Sequence, residues 1–182
     1  MRGLLRVPLV AALMVGLAYP ITGTASASVV SWERVTDADV TVVSASPNRN
    51  YGPAETLRTA AGVRSYFSGK FDKRACVAVL KLFPTADGPG SRIYVASADW
   101  NEDEMTWKNA PPIGAFVANT GPVSMGVWVT IDVTSVVCKP GPLPGCRPGT
   151  FGFVITSPKA SNQYASREDW LQAGPRLVLS VG

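Results

Sequence analysis

The feature that most constrains the fold of this chain is the recurrence of apolar residues at every second position in short segments. In GVWVTIDVT, for example, an apolar residue recurs at Val127, Val129, Ile131 and Val133. Successive side chains of a strand point to opposite faces, so this period predicts strands with one face on a core. The same pattern recurs in further segments, namely residues 39–45, 60–71, 76–83, 92–97, 151–155 and 177–181.

Between these segments lie short stretches rich in Gly, Pro, Asn, Asp and Ser, such as SPNRNYGP and PTADGPG. Such residues favour turns, and no segment of useful length has apolar residues at helical spacing. Many short strands at close spacing are typical of antiparallel sandwiches and barrels. We therefore expect an all-β chain that folds as a single antiparallel β-sandwich, jelly-roll-like, with almost no helix.

The N-terminus has the composition of a secretory signal peptide. Arg2 and Arg6 form a charged start, an apolar run follows, and residues 25–27 supply the small side chains that a signal peptidase requires. We expect a signal peptide over residues 1–27, a single domain over residues 28–182, and secretion to the extracellular space. The alternative is an uncleaved anchor, and the mature domain is expected to contain no membrane span.

The charge of the chain argues against nucleic acid as a partner. The chain carries 17 Lys and Arg against 13 Asp and Glu, and loss of Arg2 and Arg6 with the signal peptide lowers the formal charge from +4 to +2. No basic stripe of the kind that nucleic-acid binders carry is evident.

The chain contains no histidine. This removes Ser-His and Cys-His dyads, the most common general base near neutral pH and the most common metal ligand. No carboxylate pair has a feature that marks it as hydrolytic. We therefore expect no catalytic residues, no enzyme activity and no cofactor. Glu102, Asp103 and Glu104 offer oxygen ligands for calcium but lack EF-hand spacing and a glycine, so we expect a solvated acidic loop; a calcium site is the alternative, and the question of a metal stays open.

The three cysteines are expected to differ in redox state. Cys138 and Cys146 bracket KPGPLPG, which bends the chain back, so we expect this pair to form a disulfide outside the cell. Cys76 begins the strand-like segment CVAVLKLF, where we expect a buried thiol; an intermolecular disulfide is the alternative. The face of that strand that points into the core is expected to carry its uniformly apolar side chains, which are Cys76, Ala78, Leu80 and Leu82.

The segment WNEDEMTWKNAP, residues 100–111, carries two tryptophans seven residues apart among acids, amides and prolines. It is too polar for a core strand and too rich in turn formers for a long helix. The Asn109 side chain is expected to bond the backbone of this segment. The tryptophans either pin a long loop onto the β-core or present flat faces to a ligand, and the sequence leaves both open.

Several segments occur in the order found in the DNRLRE-type domain, which is assigned to a carbohydrate-binding module family. The chain resembles that family in PNRNYG, RSYFSGKFD, WNEDEMTWKNAPPIG and YASREDW, over about residues 37–181, and departs from it at SGKFDKRAC and in the CKPGPLPGC insert. The resemblance implies a β-sandwich of secreted and surface proteins that binds carbohydrate. Some members bind acidic polysaccharides such as alginate, and no catalytic residues come with the family.

Carbohydrate sites combine flat aromatic faces with a few planar polar groups, and the arginine fork suits the carboxylate of a uronic acid. The residues that supply both types, and form the candidate ligand site, are Trp100, Trp107, Tyr164, Arg167, Glu168 and Trp170. The alternative for Arg167 is an ion pair with Glu168 or Asp132. The expected partner is an extracellular polysaccharide; the rival functions are a structural or adhesive domain and a partner-binding domain that presents the disulfide loop.

Overall fold

The structure is a computed structural model, which describes residues 30–72, 74–138, 146–158 and 160–181. The predicted signal peptide, residues 1–27, lies outside the described residues. Within them no helix is long and apolar enough to cross a membrane.

Short strands account for nearly all the regular structure. They are β1 (Val30–Val35), β2 (Ala38–Val43), β3 (Thr56–Thr59), β4 (Val63–Phe71), β5 (Val77–Leu82), β6 (Arg92–Val95), β7 (Phe116–Asn119), β8 (Val129–Asp132), β9 (Gly149–Thr156), β10 (Asn162–Ala165) and β11 (Arg176–Val181). One helical turn, α1 (Thr134–Val137), follows β8.

The strands form two packed antiparallel sheets and a short ribbon. The first sheet has the order β1-β11-β5-β8, the second has the order β2-β4-β9-β6-β7, and β3 pairs with β10 in the ribbon. When β2 and the ribbon are set aside, eight strands remain in two four-stranded sheets, β1-β11-β5-β8 and β4-β9-β6-β7, which is the strand order of a jelly roll. The prediction of a single antiparallel β-sandwich is therefore confirmed.

The main core lies between the two sheets and is formed by the inward apolar side chains of both. Phe151, Phe153 and Ile155 of β9 face Leu177 and Leu179 of β11 across it, as their alternation predicts. Ring contacts extend this packing, with the Phe67 and Phe153 centroids 5.9 Å apart and the Phe151 and Phe153 centroids 6.1 Å apart.

A second, smaller cluster lies on the outer face of the second sheet. Val40, Tyr66 and Val154 form its floor, and Trp100 and Trp107 pack against it from a long loop. We call that loop, residues 97–111, the loop cover. Because the loop cover lies over the outer face, both faces of β4 and β9 are buried in their central parts. A sheet face that is open to solvent carries polar side chains instead.

Two details of the sequence predictions are corrected by the structure. Val127 does not share the buried face of Ile131 and Val133, because it lies in the turn before β8 and is 60% exposed. Cys76 is exposed rather than buried, because β5 begins one residue later and Ala75 takes the inward position beside Cys146.

The predicted disulfide between Cys138 and Cys146 is confirmed. Cys146 is buried, and its backbone exchanges hydrogen bonds with Ala75, so the disulfide joins the end of α1 to the segment that precedes β9. Residues 139–145, between the two cysteines, lie outside the described residues.

Candidate functional site

One side chain from the β2–β3 connection bonds the backbone of the loop cover at two places. The Asn50 side-chain amide donates hydrogen bonds to the carbonyl oxygens of Glu102 (2.5 Å) and Met105 (2.9 Å). Its carbonyl oxygen accepts the N–H of Gly52. A Cβ at Gly52 would lie 3.0 Å from the Glu102 side chain and 3.1 Å from its carbonyl oxygen, so glycine permits the close approach of the two segments.

The loop cover also stabilises itself. As predicted, the Asn109 side chain bonds the backbone, because its Oδ1 accepts the N–H of Thr106 (2.7 Å) and its Nδ2 donates to the Glu104 carbonyl oxygen (3.0 Å). The Arg64 guanidinium lies 4.2 Å above the Trp107 ring centroid. Trp107 is therefore partly buried between the loop cover and the sheet and holds the loop onto the β-core. This is the first of the two roles that the sequence left open for the tryptophans of this segment.

Trp100 has a different environment, because it is half-buried and also lines a surface groove. The indole N–H donates to the Ser97 carbonyl oxygen (3.0 Å), which fixes the ring and leaves its face as the available surface. An open groove of about 450 Å³, which we call the Trp100 groove, lies beside it. Its other lining residues come from the β1–β2 turn, the start of β2, β4, β9 and the segment that follows β6: Asp37, Ala38, Ser68, Gly69, Lys70, Ser97, Ala98, Asp99 and Thr150.

Charges of both signs border the Trp100 groove. Lys70 is exposed, and its ammonium forms no ion pair with any described residue. The Arg34 Nε donates to the Lys70 carbonyl oxygen (3.2 Å), which brings a second cation to the same side. Asp37 accepts the N–H of Lys70 through Oδ2 (2.8 Å), and Asp99 is an exposed lining residue. The groove is thus lined by one aromatic ring, one lysine and two acids, and Arg34 lies next to the Lys70 backbone.

Arg167 lies next to this groove, and its guanidinium is held by three acceptors. Its Nε donates to Glu168 (3.0 Å), one terminal nitrogen donates to the Asp37 carbonyl oxygen (2.8 Å), and the other donates to Glu102 (2.6 Å). Of the two ion pairs considered from the sequence, the one with Glu168 forms. Asp132 instead accepts the N–H of Thr134.

These contacts form a charged group that we call the Asp39 cluster, made of Asp39, Glu102, Arg167 and Glu168. Asp39 is 0% exposed, and its Oδ2 accepts the N–H of Arg167 (2.7 Å). Burial raises the pKa of the Asp39 carboxyl to about 8, despite that hydrogen bond. Burial also raises the pKa of Glu102, and the neighbouring Glu168 carboxylate adds to the effect.

The pKa of Arg167 reflects opposing influences in the same cluster. Burial alone would lower it, but the carboxylates of Glu102 and Glu168 more than offset this and raise it. Its guanidinium is therefore charged at every pH of interest, and it partly neutralises the carboxylates around it.

The remaining predicted site residues are spread over the molecule. Tyr164 is fully buried in the main core, where its hydroxyl hydrogen-bonds the Ser91 hydroxyl (3.0 Å), so it has no surface for a ligand. Trp170 is 78% exposed in the turn after β10. The structure thus brings together Trp100, Arg167 and Glu168, while Trp107 and Tyr164 pack elsewhere.

Sequence reasoning missed an aromatic and basic group on the outer face of the first sheet. Lys81 of β5 and Arg176 of β11 are register partners, and their cationic groups lie 4.8 and 5.1 Å from the Trp128 ring centroid. Both bond Glu33 of β1, which lowers the pKa of that carboxyl. We call these residues the Trp128 face. The signal available in the sequence was Lys81 within an apolar strand, where it shares a face with neither Leu80 nor Leu82.

The sequence was also compared with known proteins. No curated protein matches it. Residues 31–181, which include every described strand except the first residue of β1, match the sequence profile of carbohydrate-binding module family 96. The match includes the loop cover, the Trp100 groove and the Asp39 cluster, and it agrees with the resemblance to DNRLRE-type domains. On this match the chain belongs to carbohydrate-binding module family 96, a family of modules that bind carbohydrate.

Proposed function

We propose that the protein is a secreted, non-catalytic module that binds an acidic polysaccharide, and that the chain of the polysaccharide lies in the Trp100 groove. Family membership supports carbohydrate as the ligand. The observation that carries the finer proposal is the groove itself, which is lined both by Trp100 and by Lys70, whose ammonium forms no ion pair among the described residues.

The two parts of the groove have separate tasks in this proposal. The Trp100 indole covers the apolar face of one sugar ring, since its N–H is already bonded to Ser97. Lys70, with Arg34 beside it, meets a uronate carboxylate. Arg167 is a positioning residue at the rim, because its donors are occupied by Glu102, Glu168 and the Asp37 backbone.

The affinity expected from these contacts is modest. A charge-assisted hydrogen bond contributes about 1.5–3 kcal/mol, and an aromatic contact adds about 0.5–1.5 kcal/mol beyond its buried area. The cost of ordering both partners offsets much of this gain, which places the dissociation constant between micromolar and millimolar. Added salt should weaken binding, because an exposed ion pair is screened.

Affinity electrophoresis in gels containing alginate, pectate or a neutral glucan tests both the function and its location. The wild-type protein should be retarded by the acidic polymers only. Lys70→Ala should lower the affinity for these polymers by about tenfold or more, because it removes the charge-assisted hydrogen bond to the uronate. Lys108→Ala, which removes the same charge from the loop cover outside the groove, is the matched control. Trp100→Ala should also bind weakly, with Trp170→Ala as its aromatic control.

The outcomes separate the site from the function. Retardation of wild type together with unchanged Lys70→Ala and Trp100→Ala variants would reject the Trp100 groove. The Trp128 face is the competing location, because it pairs an indole with two cations. In that case Trp128→Ala, rather than Trp100→Ala, should lose binding.

The second candidate function is a structural or adhesive surface domain without glycan specificity. The partial burial of both loop tryptophans favours it, because Trp100 and Trp107 contribute to packing whether or not a ligand binds. Equal mobility of the wild-type protein in all three gels would support this function and defeat the first.

A further inference from the structure

We propose that Asp39, Glu102 and Glu168 bind one calcium ion at the β2 edge of the second sheet. One carboxylate oxygen from each of the three residues lies within 4.8 Å of the others. Ca²⁺ binds oxygen at about 2.3–2.6 Å, so two oxygens that share an ion lie up to about 5 Å apart. The spacing of the three side chains therefore already fits a shared ion. This inference does not rest on the proposed function.

The strongest support comes from two buried carboxylate oxygens that lack hydrogen bonds to any residue the structure describes. Asp39 is fully buried, and its Oδ1 has no hydrogen-bond partner among the described residues, whereas its Oδ2 accepts the N–H of Arg167. Glu168 shows the same division, since Oε1 accepts the Arg167 Nε–H and Oε2 is buried with no partner in the described part of the chain. Burying a carboxylate oxygen without a hydrogen-bond donor or cation costs free energy of folding, so a bound cation would stabilise the cluster at this position.

The charge of the cluster points to the same conclusion. Three carboxylates face one guanidinium, which leaves two negative charges uncompensated when all three acids are ionised. Arg167 contacts Glu102 through Oε2 and Glu168 through Oε1. The other oxygen of Glu102 accepts the N–H of Asp39 at a long 3.3 Å, and the other oxygen of Glu168 is buried with no partner among the described residues. A divalent cation bound to the three carboxylates makes the cluster neutral.

The ligand chemistry selects calcium among the divalent ions. All the donors are oxygens, and the three residues contain no sulfur or imidazole ligand, which disfavours zinc and copper. The carboxylates come from three separate segments: β2, the loop cover and the turn after β10. Ca²⁺ accepts such irregular geometry and fills its remaining positions with water, whereas Mg²⁺ demands a near-ideal octahedron at shorter distances. The ion would join these three segments.

Calorimetry and thermal unfolding of the mature protein, without any glycan, test the site. Chelator-treated protein should bind one Ca²⁺ per chain, and its Tm should rise by roughly 5–10 °C at a calcium concentration about 100-fold above the Kd. MgCl₂ at equal ionic strength should raise it much less. Asp39→Asn and Glu168→Gln should lose the calcium response. Asp103→Asn, an exposed acid next to Glu102 in the loop cover, should keep it.

The main rival is a proton shared between Asp39 and a neighbouring carboxylate. Absence of a binding isotherm at millimolar CaCl₂, together with a Tm unaffected by calcium or chelator, would overturn the calcium site. Should Asp39→Asn fail to fold, Glu168→Gln and the wild-type isotherm decide the matter, because Glu168 is partly exposed. Calcium binding with unchanged affinity in Glu168→Gln and Glu102→Gln would also refute it, since the ion would then lie elsewhere.

Discussion

The two sides of the five-stranded sheet are both covered, but by different means. The inner side meets the other sheet, and Phe67, Phe153 and Ile155 are buried there among apolar side chains. The outer side is covered by an irregular loop, whose backbone is held by polar side chains such as Asn50 and Asn109. Apolar packing has no direction, whereas hydrogen bonds do, so the polar pins determine where the loop lies. The candidate groove and the acidic cluster both depend on that loop.

The largest expected effect on stability comes from disrupting the apolar packing on the inner side of this sheet. Phe153→Ala should lower the free energy of unfolding by about 3–5 kcal/mol, because it leaves a cavity between the sheets where Phe67 and Phe151 now contact the ring. Urea denaturation followed by circular dichroism measures this loss. Trp170→Ala, at an exposed position, should change stability by less than about 0.5 kcal/mol. A small effect of Phe153→Ala would show that the outer cluster, not the main core, carries the stability of the fold.

Removing a hydrogen bond that holds the loop cover on the outer side should have a smaller and more local effect on stability. Asn50→Ala leaves the carbonyl oxygens of Glu102 and Met105 without their donor, which should cost about 1–3 kcal/mol. Native-state hydrogen exchange should become faster in the loop cover while the strands of the main core keep their protection. Asn48→Ala, an exposed amide in the same connection, is the control. If hydrogen exchange became faster to the same extent in both sheets and in the loop cover, the loop would not be held independently of the main core.

The smallest expected effect concerns the cation over Trp107. Arg64→Met keeps most of the apolar stem but removes the charge above the ring, which should cost about 0.5–1 kcal/mol. Thermal unfolding and hydrogen exchange at Trp107 measure the change, and Arg92→Met on the same sheet serves as the control. If Arg64→Met proved as damaging as Asn50→Ala, the tryptophan rather than the amide would be the main pin of the loop.

The strands and the disulfide could be predicted because they depend on local patterns. The alternation of Phe151, Phe153 and Ile155 and the short proline-rich separation of Cys138 and Cys146 are both visible within a few residues. The exposure of Cys76 was not visible in this way. It depends on where β5 begins, and that is set by the pairing of Ala75 with Cys146, far along the chain.

The candidate site could be predicted only in part for the same reason. Trp100 and Arg167 were recognised by residue type, and the fold brings both to the border of one groove. The acidic cluster was missed because Asp39 is the one charged residue of its strand and meets residues from two distant segments, so no local spacing marks it. Tyr164 was assigned to the ligand site, but its alternation in β10 fits a core position equally well.

The pairing of the first and last strands has a mechanical consequence. Val30 of β1 is the register partner of Val181 of β11, and the two strands run antiparallel. A pulling force applied through both ends of the domain therefore acts at the same end of this pair of strands. It would peel them apart one residue pair after another, instead of loading all their hydrogen bonds at once. Under tension, such a domain should release its outer strand at low force while the inner pairs of both sheets remain closed.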